Sequence, residues 1–240
     1  RKLKNYQTPK QFVYGLSIGK TNSPDTCTIG TGLADYSDCL QEAIASGIGN
    51  YYEINISCPN TFGGEPFTTP QKLEKLLKKL MPIVGNDKKS KPVLLKMPIN
   101  IPWSDFKKMC EIAITYKVAG VIIGNLNKDR TYISDNDSLL PDVKGNASGK
   151  PCWELSNELI SQTYKTFGRK LVIIGVGGIF SGADAYEKIR RGASLVQLIT
   201  GLIYEGPQLI GEINRDLVKF LERDGYFHIS EAVGSYHSRK

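Results

Sequence analysis

The sequence lacks the features that mark membrane-spanning, disulfide-bonded or metal-rich proteins. No apolar run reaches the roughly 18–20 residues that a membrane-spanning helix needs. The five cysteines are scattered and form no Cys-x-x-Cys pair, which argues against a disulfide framework and for a reducing compartment. Only two histidines are present, both near the C-terminus, so a histidine-rich metal site is not expected. What is left is a globular chain of 240 residues, long enough for one large domain.

The charge balance is mildly basic and says little about partners. The formal net charge is +7, and the lysines are spread over predicted helices and one loop. This distribution favours solvated helix faces over a site for an anionic ligand or a membrane surface, although attraction to such a partner stays open. Aromatic and basic residues do not interleave, so no nucleic-acid partner is expected.

Short Val- and Ile-rich runs alternate with segments of helical period. Continuous apolar runs are typical of strands buried on both faces, and helices between them predict parallel crossovers. Leu73, Leu76, Leu77 and Leu80 show the helical spacing of i, i+3, i+4 and i+7. The predicted strands are 12–18, 51–57, 92–97, 119–124, 171–175 and 194–199. The predicted helices lie near 36–47, 70–82, 104–117, 154–166, 182–191 and 208–223.

Two architectures are compatible with this parallel sheet, a doubly wound sheet and a (β/α)₈ barrel. Polar residues and glycines follow the C-terminal end of every predicted strand, and all βα loops of a barrel converge on one face. A doubly wound sheet concentrates its site at one switch point. We therefore predict an α/β fold of the TIM-barrel type, forming one domain over residues 1–240. About six βα units are present, and the first strands are missing. The stretch 125–153 has no clear element, which is typical of a functional lid or a disordered loop.

Glycines stand at the C-terminal ends of the last two predicted strands. Gly177 and Gly178 directly follow one strand, and the other ends at Thr200-Gly201. Backbone without side chains lets N–H groups approach phosphate oxygens. In barrels, the loops after the last two strands often form one phosphate site. The pattern predicts a phosphate group here, with ordinary tight turns as the alternative.

Cys58 and Lys96 carry the clearest chemical signals. Cys58 ends a predicted strand and is flanked by Asn55 and Asn60, whose amides suit a planar ring of alternating C=O and N–H groups. A thiol there can remove a carbon-bound proton if a neighbouring site accepts the electrons. A buried core cysteine is the alternative. Lys96 interrupts an apolar strand, which predicts an anionic partner such as a reduced flavin, unless its ammonium reaches solvent.

Several short motifs, in order along the chain, carry a family resemblance. They include the run Asn55-Ile56-Ser57-Cys58-Pro59-Asn60, and together they resemble the dihydroorotate dehydrogenase family over nearly the whole chain. The matching stretches are 15–20, 54–61, 93–96, 148–151, 173–178, 192–200 and 229–234.

The resemblance implies an FMN-binding catalytic domain that oxidises dihydroorotate to orotate in pyrimidine (UMP) biosynthesis. Cys58 would take the C5 proton as base, while a hydride leaves C6 for flavin N5. Lys96 would stabilise the reduced flavin near N1 and the C2 carbonyl. Asn55 would touch both flavin and substrate, and Asn60 and Asn125 would touch the orotate. The implied FMN contacts are Ser17, Asn55, Lys96, Ser148, Gly149, Gly177, Gly178, Ile199 and Thr200.

The sequence mixes features of two classes within this family. A cysteine base at position 58 is typical of the soluble class 1, whereas the quinone-dependent class generally has serine there. The C-terminal third looks more like the quinone-dependent class. Ser17 stands where that class usually has a flavin-contacting Asn, and Gly124-Asn125-Leu126 replaces its usual Thr-Asn-Thr or Thr-Asn-Ser. The expected acceptor is a quinone, with fumarate and NAD as alternatives.

The location and the assembly are two further expectations. The expected location is the cytoplasm, and a peripheral contact with the inner face of the cell membrane, through a missing N-terminal segment, stays open. A homodimer also stays open.

Two other functions remain alternatives. Another FMN barrel, of the dihydropyrimidine dehydrogenase or tRNA-dihydrouridine synthase type, would also use a cysteine as proton carrier. Asn60 after Cys-Pro and the lack of a strongly basic face favour orotate chemistry. An inactive barrel that only binds FMN or a partner is the second alternative, because Ser17 and Leu126 depart from the family pattern.

Overall fold

The computed structural model describes residues 12–59, 61–87, 89, 91–133 and 145–238. The chain forms two compact units. The first unit runs to Lys96 and adds Ser104–Gly120, and the second unit comprises Met97–Trp103 and Val121–Lys240.

Three parallel strands carry the first unit. They are β1 (Gly15–Gly19), β2 (Tyr51–Asn55) and β3 (Val93–Met97, whose last residue belongs to the second unit), and β2 lies between the other two. Parallel pairing places Ser17 beside Glu53, Gly19 beside Asn55, and Asn55 beside Lys96. Since directly paired residues point to the same side of a sheet, one face of this unit is polar near the strand C-termini.

Three helices follow the strands of the first unit: α1 (Ile29–Ser46), α2 (Pro70–Gly85) and α3 (Trp103–Thr115). The predicted leucine stripe of α2 is confirmed, because Leu73, Leu76, Leu77 and Leu80 are all buried. Pro70 occupies the first turn of α2, where a missing N–H costs nothing.

Helix α1 begins seven residues before the predicted start. Its first turn is closed by a capping box in which the side chains of Thr28 and Thr31 each bind the other residue's backbone N–H.

The second unit contains the strands β4 (Gly120–Ile123), β5 (Val172–Val176) and β6 (Leu195–Gln197), and β5 lies between the other two. Gly120, the first residue of β4, belongs to the first unit. The register of β5 and β6 is parallel and places Val176 beside Gln197. Five helices belong to this unit, all within its described ranges. They are α4 (Trp153–Phe167), α5 (Gly182–Arg191), α6 (Thr200–Glu205), α7 (Leu209–Asp224) and α8 (Ile229–Ala232).

Two buried clusters hold the helices of the second unit together. One contains Ile179, Ala185, Leu209 and Ile213 and packs α5 against α7. The other brings Ala232 of α8 onto α5. The first cluster includes Ile179, which directly follows the predicted glycine turn after β5.

The six predicted strands and the six predicted helices are all present, with shifted ends. Helices α6 and α8 were not predicted. The stretch 125–153 was expected to hold no clear element, but its described part contains two short 3₁₀ helices and a bridge between Asn127 and Ala147. Residues 134–144 of this stretch lie outside the described residues. None of the helices in the described ranges has both the length and the apolar character needed to cross a membrane.

Candidate active site

The first unit brings four polar side chains to one face of its strands. Ser17 of β1, Glu53 and Asn55 of β2, and Lys96 of β3 are related by direct pairing or by two-residue spacing. Three of them, Ser17, Asn55 and Lys96, are residues that the family resemblance assigns to FMN. The fourth, Glu53, was not predicted.

Glu53 is a buried carboxylate bound by both of its polar neighbours. Ser17 Oγ donates a hydrogen bond to Glu53 Oε1 over 2.7 Å. Lys96 Nζ lies 3.9 Å from the same oxygen. Lys96 thus has an anionic neighbour within the chain itself, and its predicted contact with a reduced flavin stays a prediction. A charged residue inside the apolar run 51–57 was the signal that could have revealed Glu53.

Asn55 is fixed through both its side chain and its backbone. Its Oδ1 accepts hydrogen bonds from the backbone N–H and the hydroxyl of Ser57, over 3.2 and 3.3 Å. Its carbonyl oxygen accepts the hydroxyl of Tyr36, over 2.6 Å. Burial raises the pKa of Tyr36 above its usual range, which keeps this donor protonated. The amide plane of Asn55 is thus held in one orientation.

Cys58 is a free, half-buried thiol just beyond β2. It lines a small pocket with Lys20, Tyr36, Asn55 and Thr61, so the predicted base and one predicted substrate contact share a cavity. Asn60, the other expected substrate contact in this run, lies outside the described residues.

The loop after Cys58 is pinned by two residues that follow β1. Lys20 Nζ donates to the carbonyl oxygen of Phe62 over 2.6 Å. Asn22 Oδ1 accepts the backbone N–H of the same residue over 3.0 Å. Neither Lys20 nor Asn22 was predicted to take part. Both follow directly from the C-terminal end of β1, where the fold gathers its functional residues.

In the second unit, Gly177 and Gly178 follow β5 in the left-handed region, with φ of +105° and +75°. A Cβ at Gly177 would lie 2.8 Å from Cβ of Cys152, and one at Gly178 would lie 2.9 Å from Cβ of Trp153. No larger residue fits at either position. Both positions therefore require glycine, because the turn packs closely against Cys152 and Trp153.

Gly149 and Thr200, which the sequence assigns to the same cofactor, lie against each other. Gly149 has a φ of +78°, and a Cβ there would lie 2.9 Å from Cγ2 of Thr200. Ile199, directly before Thr200, is 65% exposed. Ser148 is exposed as well. The structure thus brings Gly149 and Thr200 together.

Asn125 follows β4, and its loop is held by hydrogen bonds between amide side chains and the backbone. Asn125 Oδ1 accepts the N–H of Leu126 over 2.9 Å, and its carbonyl lies 3.5 Å from Sγ of Cys152. The nearby Asn127 is fully buried and accepts Nδ2 of Asn100 over 2.8 Å. Asn100 and Asn127 were not predicted, although both follow predicted strands.

Lys188 is a fully buried cation on α5 that the sequence analysis overlooked. Its ammonium donates to Ser156 Oγ over 3.0 Å and to Asn157 Oδ1 over 2.9 Å. Ser156 Oγ in turn lies 2.5 Å from the carbonyl oxygen of Val176, the residue before Gly177. Burial lowers the pKa of Lys188 to about 7. The lysine thus supports the end of β5, where the glycine turn starts.

The donor set suits an organic anion better than a metal ion. Among the described residues, no three His, Cys, Asp or Glu side chains cluster as a metal site would require. The first unit offers an amide, a thiol and a lysine around one pocket, and the second offers a turn of two glycines.

Comparison with known proteins assigns the family. The profile described as dihydroorotate dehydrogenase matches residues 2–221. The chain belongs to the dihydroorotate dehydrogenase family. It is 39% identical, over 190 residues, to a dihydroorotate dehydrogenase (quinone) of Crocosphaera subtropica, which covers 77% of this chain and 49% of that protein. It is 34% identical over 229 residues to the mitochondrial dihydroorotate dehydrogenase (quinone) of Arabidopsis thaliana, covering 94% of this chain and 48% of the relative.

These family relatives are considerably longer than the chain, which spans about half the length of the two named here. A solved structure of the ligand-free type DHODH of Eimeria tenella matches with a TM-score of 0.81 at 23% identity. The match covers 97% of this chain and 66% of that one, and at this identity it shows a shared fold. The predicted α/β fold of the barrel type, with about six βα units, is confirmed.

Proposed function

We propose that the chain is the catalytic part of an FMN-dependent dihydroorotate dehydrogenase, which oxidises dihydroorotate to orotate in de novo pyrimidine biosynthesis. The observation that carries this proposal is the nearness of Cys58 to Asn55 just beyond β2. The two residues line one small recess, within a chain that matches the dihydroorotate dehydrogenase profile over residues 2–221. A thiol and an amide side by side suit a substrate that must lose a carbon-bound proton while its ring amides are held.

The residues present suit FMN as the cofactor. Gly177 and Gly178 form a turn in the left-handed region where only glycine fits, and turns of this kind can present backbone N–H groups to a phosphate. Gly149 and Thr200 would add contacts, together with Ser148 and Ile199. In the first unit, Ser17, Asn55 and Lys96 would face the flavin ring. Bound FMN would supply the hydride acceptor for C6 of dihydroorotate.

Each polar residue then has a defined task. Cys58 takes the C5 proton of dihydroorotate onto Sγ. Asn55, held by Tyr36 and Ser57, orients the substrate ring through its amide. Lys96 provides the positive charge that offsets the negative charge developing during oxidation. Asn60 and Asn125 are proposed as the remaining substrate contacts.

A quinone is the proposed electron acceptor. This choice is supported by the relatives from Crocosphaera subtropica and Arabidopsis thaliana, whose names specify a quinone. Because a hydrophobic quinone resides in the membrane, we further propose a cytoplasmic protein with a peripheral membrane contact. The homodimer stays a prediction, and size-exclusion chromatography of the purified protein tests it.

The function is tested by purifying the protein and recording its absorbance and its turnover. We expect a yellow protein that oxidises dihydroorotate, with a quinone as a better acceptor than fumarate or NAD. Dihydrouracil and tRNA serve as competing substrates. Turnover of either of these without turnover of dihydroorotate would assign the chain to another FMN barrel enzyme. A yellow protein without turnover of any substrate would mark an inactive barrel.

A further inference from the structure

Glu53 shares its strand face with the residues proposed to meet the flavin. It pairs directly with Ser17 and stands two residues before Asn55, which pairs with Lys96. Strand residues spaced by two point to the same side, so these four side chains share one face. All belong to the first unit. The proposed function gives roles to Ser17, Asn55 and Lys96 but none to Glu53.

The contacts of Glu53 hold its carboxylate in one place. A single oxygen, Oε1, accepts the Ser17 hydroxyl at 2.7 Å and lies 3.9 Å from Lys96 Nζ. The side chain of Glu53 is 9% exposed, and that of Lys96 is 16% exposed. A buried carboxylate is costly unless it is paired and hydrogen-bonded, and both neighbours supply that compensation. Glu53 is therefore a fixed negative charge beside Lys96.

The fixed negative charge of Glu53 reduces the electrostatic attraction between Lys96 and a ligand bound beside it. Charges are screened less in a buried site than in water. The charges of Glu53 and Lys96 therefore act on each other and on any ligand bound beside them. The Glu53 carboxylate limits where the Lys96 ammonium can lie, and it cancels part of the positive field. A lysine without this partner would favour electron-rich ligands more strongly.

We propose that Glu53 is a positioning residue that anchors the Lys96 ammonium and lowers the midpoint potential of FMN bound beside it. This inference rests on the proposed function, since it takes Lys96 as the cation next to the flavin. Reduction adds negative charge to the flavin, and Lys96 favours that change. Glu53 opposes it by neutralising part of the lysine charge. Ser17 supports the arrangement by holding the carboxylate oxygen.

The test is the midpoint potential of protein-bound FMN, measured by equilibrium reduction against a redox dye. Glu53→Gln keeps the side-chain shape and an oxygen for Ser17 but removes the charge, and we expect the potential to become more positive. Glu53→Asp restores the charge and should stay closer to wild type. Glu74→Gln, which removes a carboxylate from the exposed side of α2, is the matched control and should leave the potential unchanged.

Repeating the measurement in a Lys96→Met variant shows whether Glu53 changes the midpoint potential through Lys96 or by a direct effect on the flavin. In Lys96→Met, the added Glu53→Gln should produce a clearly smaller shift than in the wild-type protein. An equal shift in both backgrounds would overturn the inference, because Glu53 would then act without Lys96. Equal shifts for the Asp and Gln variants would overturn it too, since the charge would not matter.

The remaining outcomes distinguish this inference from the proposed function. A yellow protein that turns over dihydroorotate but shows no shift in Glu53→Gln retains its function and refutes the role of Glu53. A yellow protein that shows the shift but does not oxidise dihydroorotate supports the role of Glu53 and refutes the function. A protein that binds no FMN refutes both.

Discussion

The Tyr36 hydroxyl donates a hydrogen bond to the carbonyl oxygen of Asn55 over 2.6 Å, joining α1 to the last residue of β2. Both residues line the pocket that contains Cys58. The bond therefore connects a buried helix residue to a proposed substrate contact. Its loss should affect stability and ligand binding together.

Tyr36→Phe tests this connection. Removing one partner of a buried hydrogen bond costs about 1–3 kcal/mol, and the Asn55 carbonyl would lose its donor. We expect a lower free energy of unfolding in urea and a higher KM for dihydroorotate. Tyr116→Phe, in a partly exposed segment after α3, is the control. Equal effects of the two variants on KM would contradict a positioning role for Tyr36.

Cys58→Ala tests the proposed base. A general base contributes roughly 10²–10⁴-fold to a rate, so turnover of dihydroorotate should fall by at least that factor. FMN should remain bound, with an unchanged visible spectrum, because Cys58 is not among its proposed contacts. Cys39→Ala, which removes an exposed thiol from α1, should keep normal turnover. Wild-type turnover in Cys58→Ala at neutral pH would refute the assignment.

Gly177→Ala tests the backbone turn after β5. The left-handed φ of +105° costs about 1–2 kcal/mol for an L-residue, and the new methyl would lie 2.8 Å from Cβ of Cys152. We expect a weaker FMN affinity, by tenfold or more in a fluorescence titration, and reduced stability. Gly225→Ala has a similar φ of +77° but nothing within 4 Å of the added Cβ. The Gly225→Ala variant should lose stability but keep its affinity for FMN. An equal loss of FMN affinity in both variants would contradict a contact between Gly177 and the cofactor.

Lys188 predicts a pH dependence of stability. Burial lowers its pKa from 10.5 to about 7, so the folded protein loses this proton at a lower pH than the unfolded chain. Below pH 7 both states hold the proton, and the cost of the buried charge is present in full. Between pH 7 and about 10 the unfolded chain binds more protons, so the free energy of unfolding rises with pH.

Urea unfolding at several pH values checks this sign. The free energy of unfolding of wild type, minus that of Lys188→Met, should rise from pH 7 to 9 by at most about 1.4 kcal/mol per unit. Lys165→Met, on the exposed side of α4, should show no such trend. A difference that is flat or falls over this range would show that Lys188 stays charged when buried.

The regular elements could be predicted from the sequence where their period is long enough to see. Helix α2 is the clearest case, since four leucines at helical spacing all proved buried. Helices α6 and α8 have only six and four residues, too short to display a helical period. The first turns of α1 contain Gly30 and Gly32, poor helix formers, and only the capping threonines indicate the true start.

The residues of the candidate site could also be predicted only in part from the sequence. Residues at strand ends, such as Cys58 and Lys96, could be found because parallel strands deliver their C-termini to one side. Glu53 was missed although it interrupts an apolar run as Lys96 does, and Lys188 was missed because it stands among the charged residues of α5. Their partners depend on strand register and on which helix faces meet, and both are set by packing between segments distant in sequence. Tyr36 was missed for the same reason.

Each of the two units contains a thiol shielded from solvent. Cys110 of α3 lies in the first unit and Cys152 in the second, and neither is more than 3% exposed. Burial raises the pKa of both thiols, to about 12 for Cys110, so neither reacts readily with an alkylating reagent while its unit is closed. The rate at which each is alkylated therefore reports how often its own unit opens. Mass spectrometry of the two labelled peptides would follow the opening of both units at once, without an introduced probe.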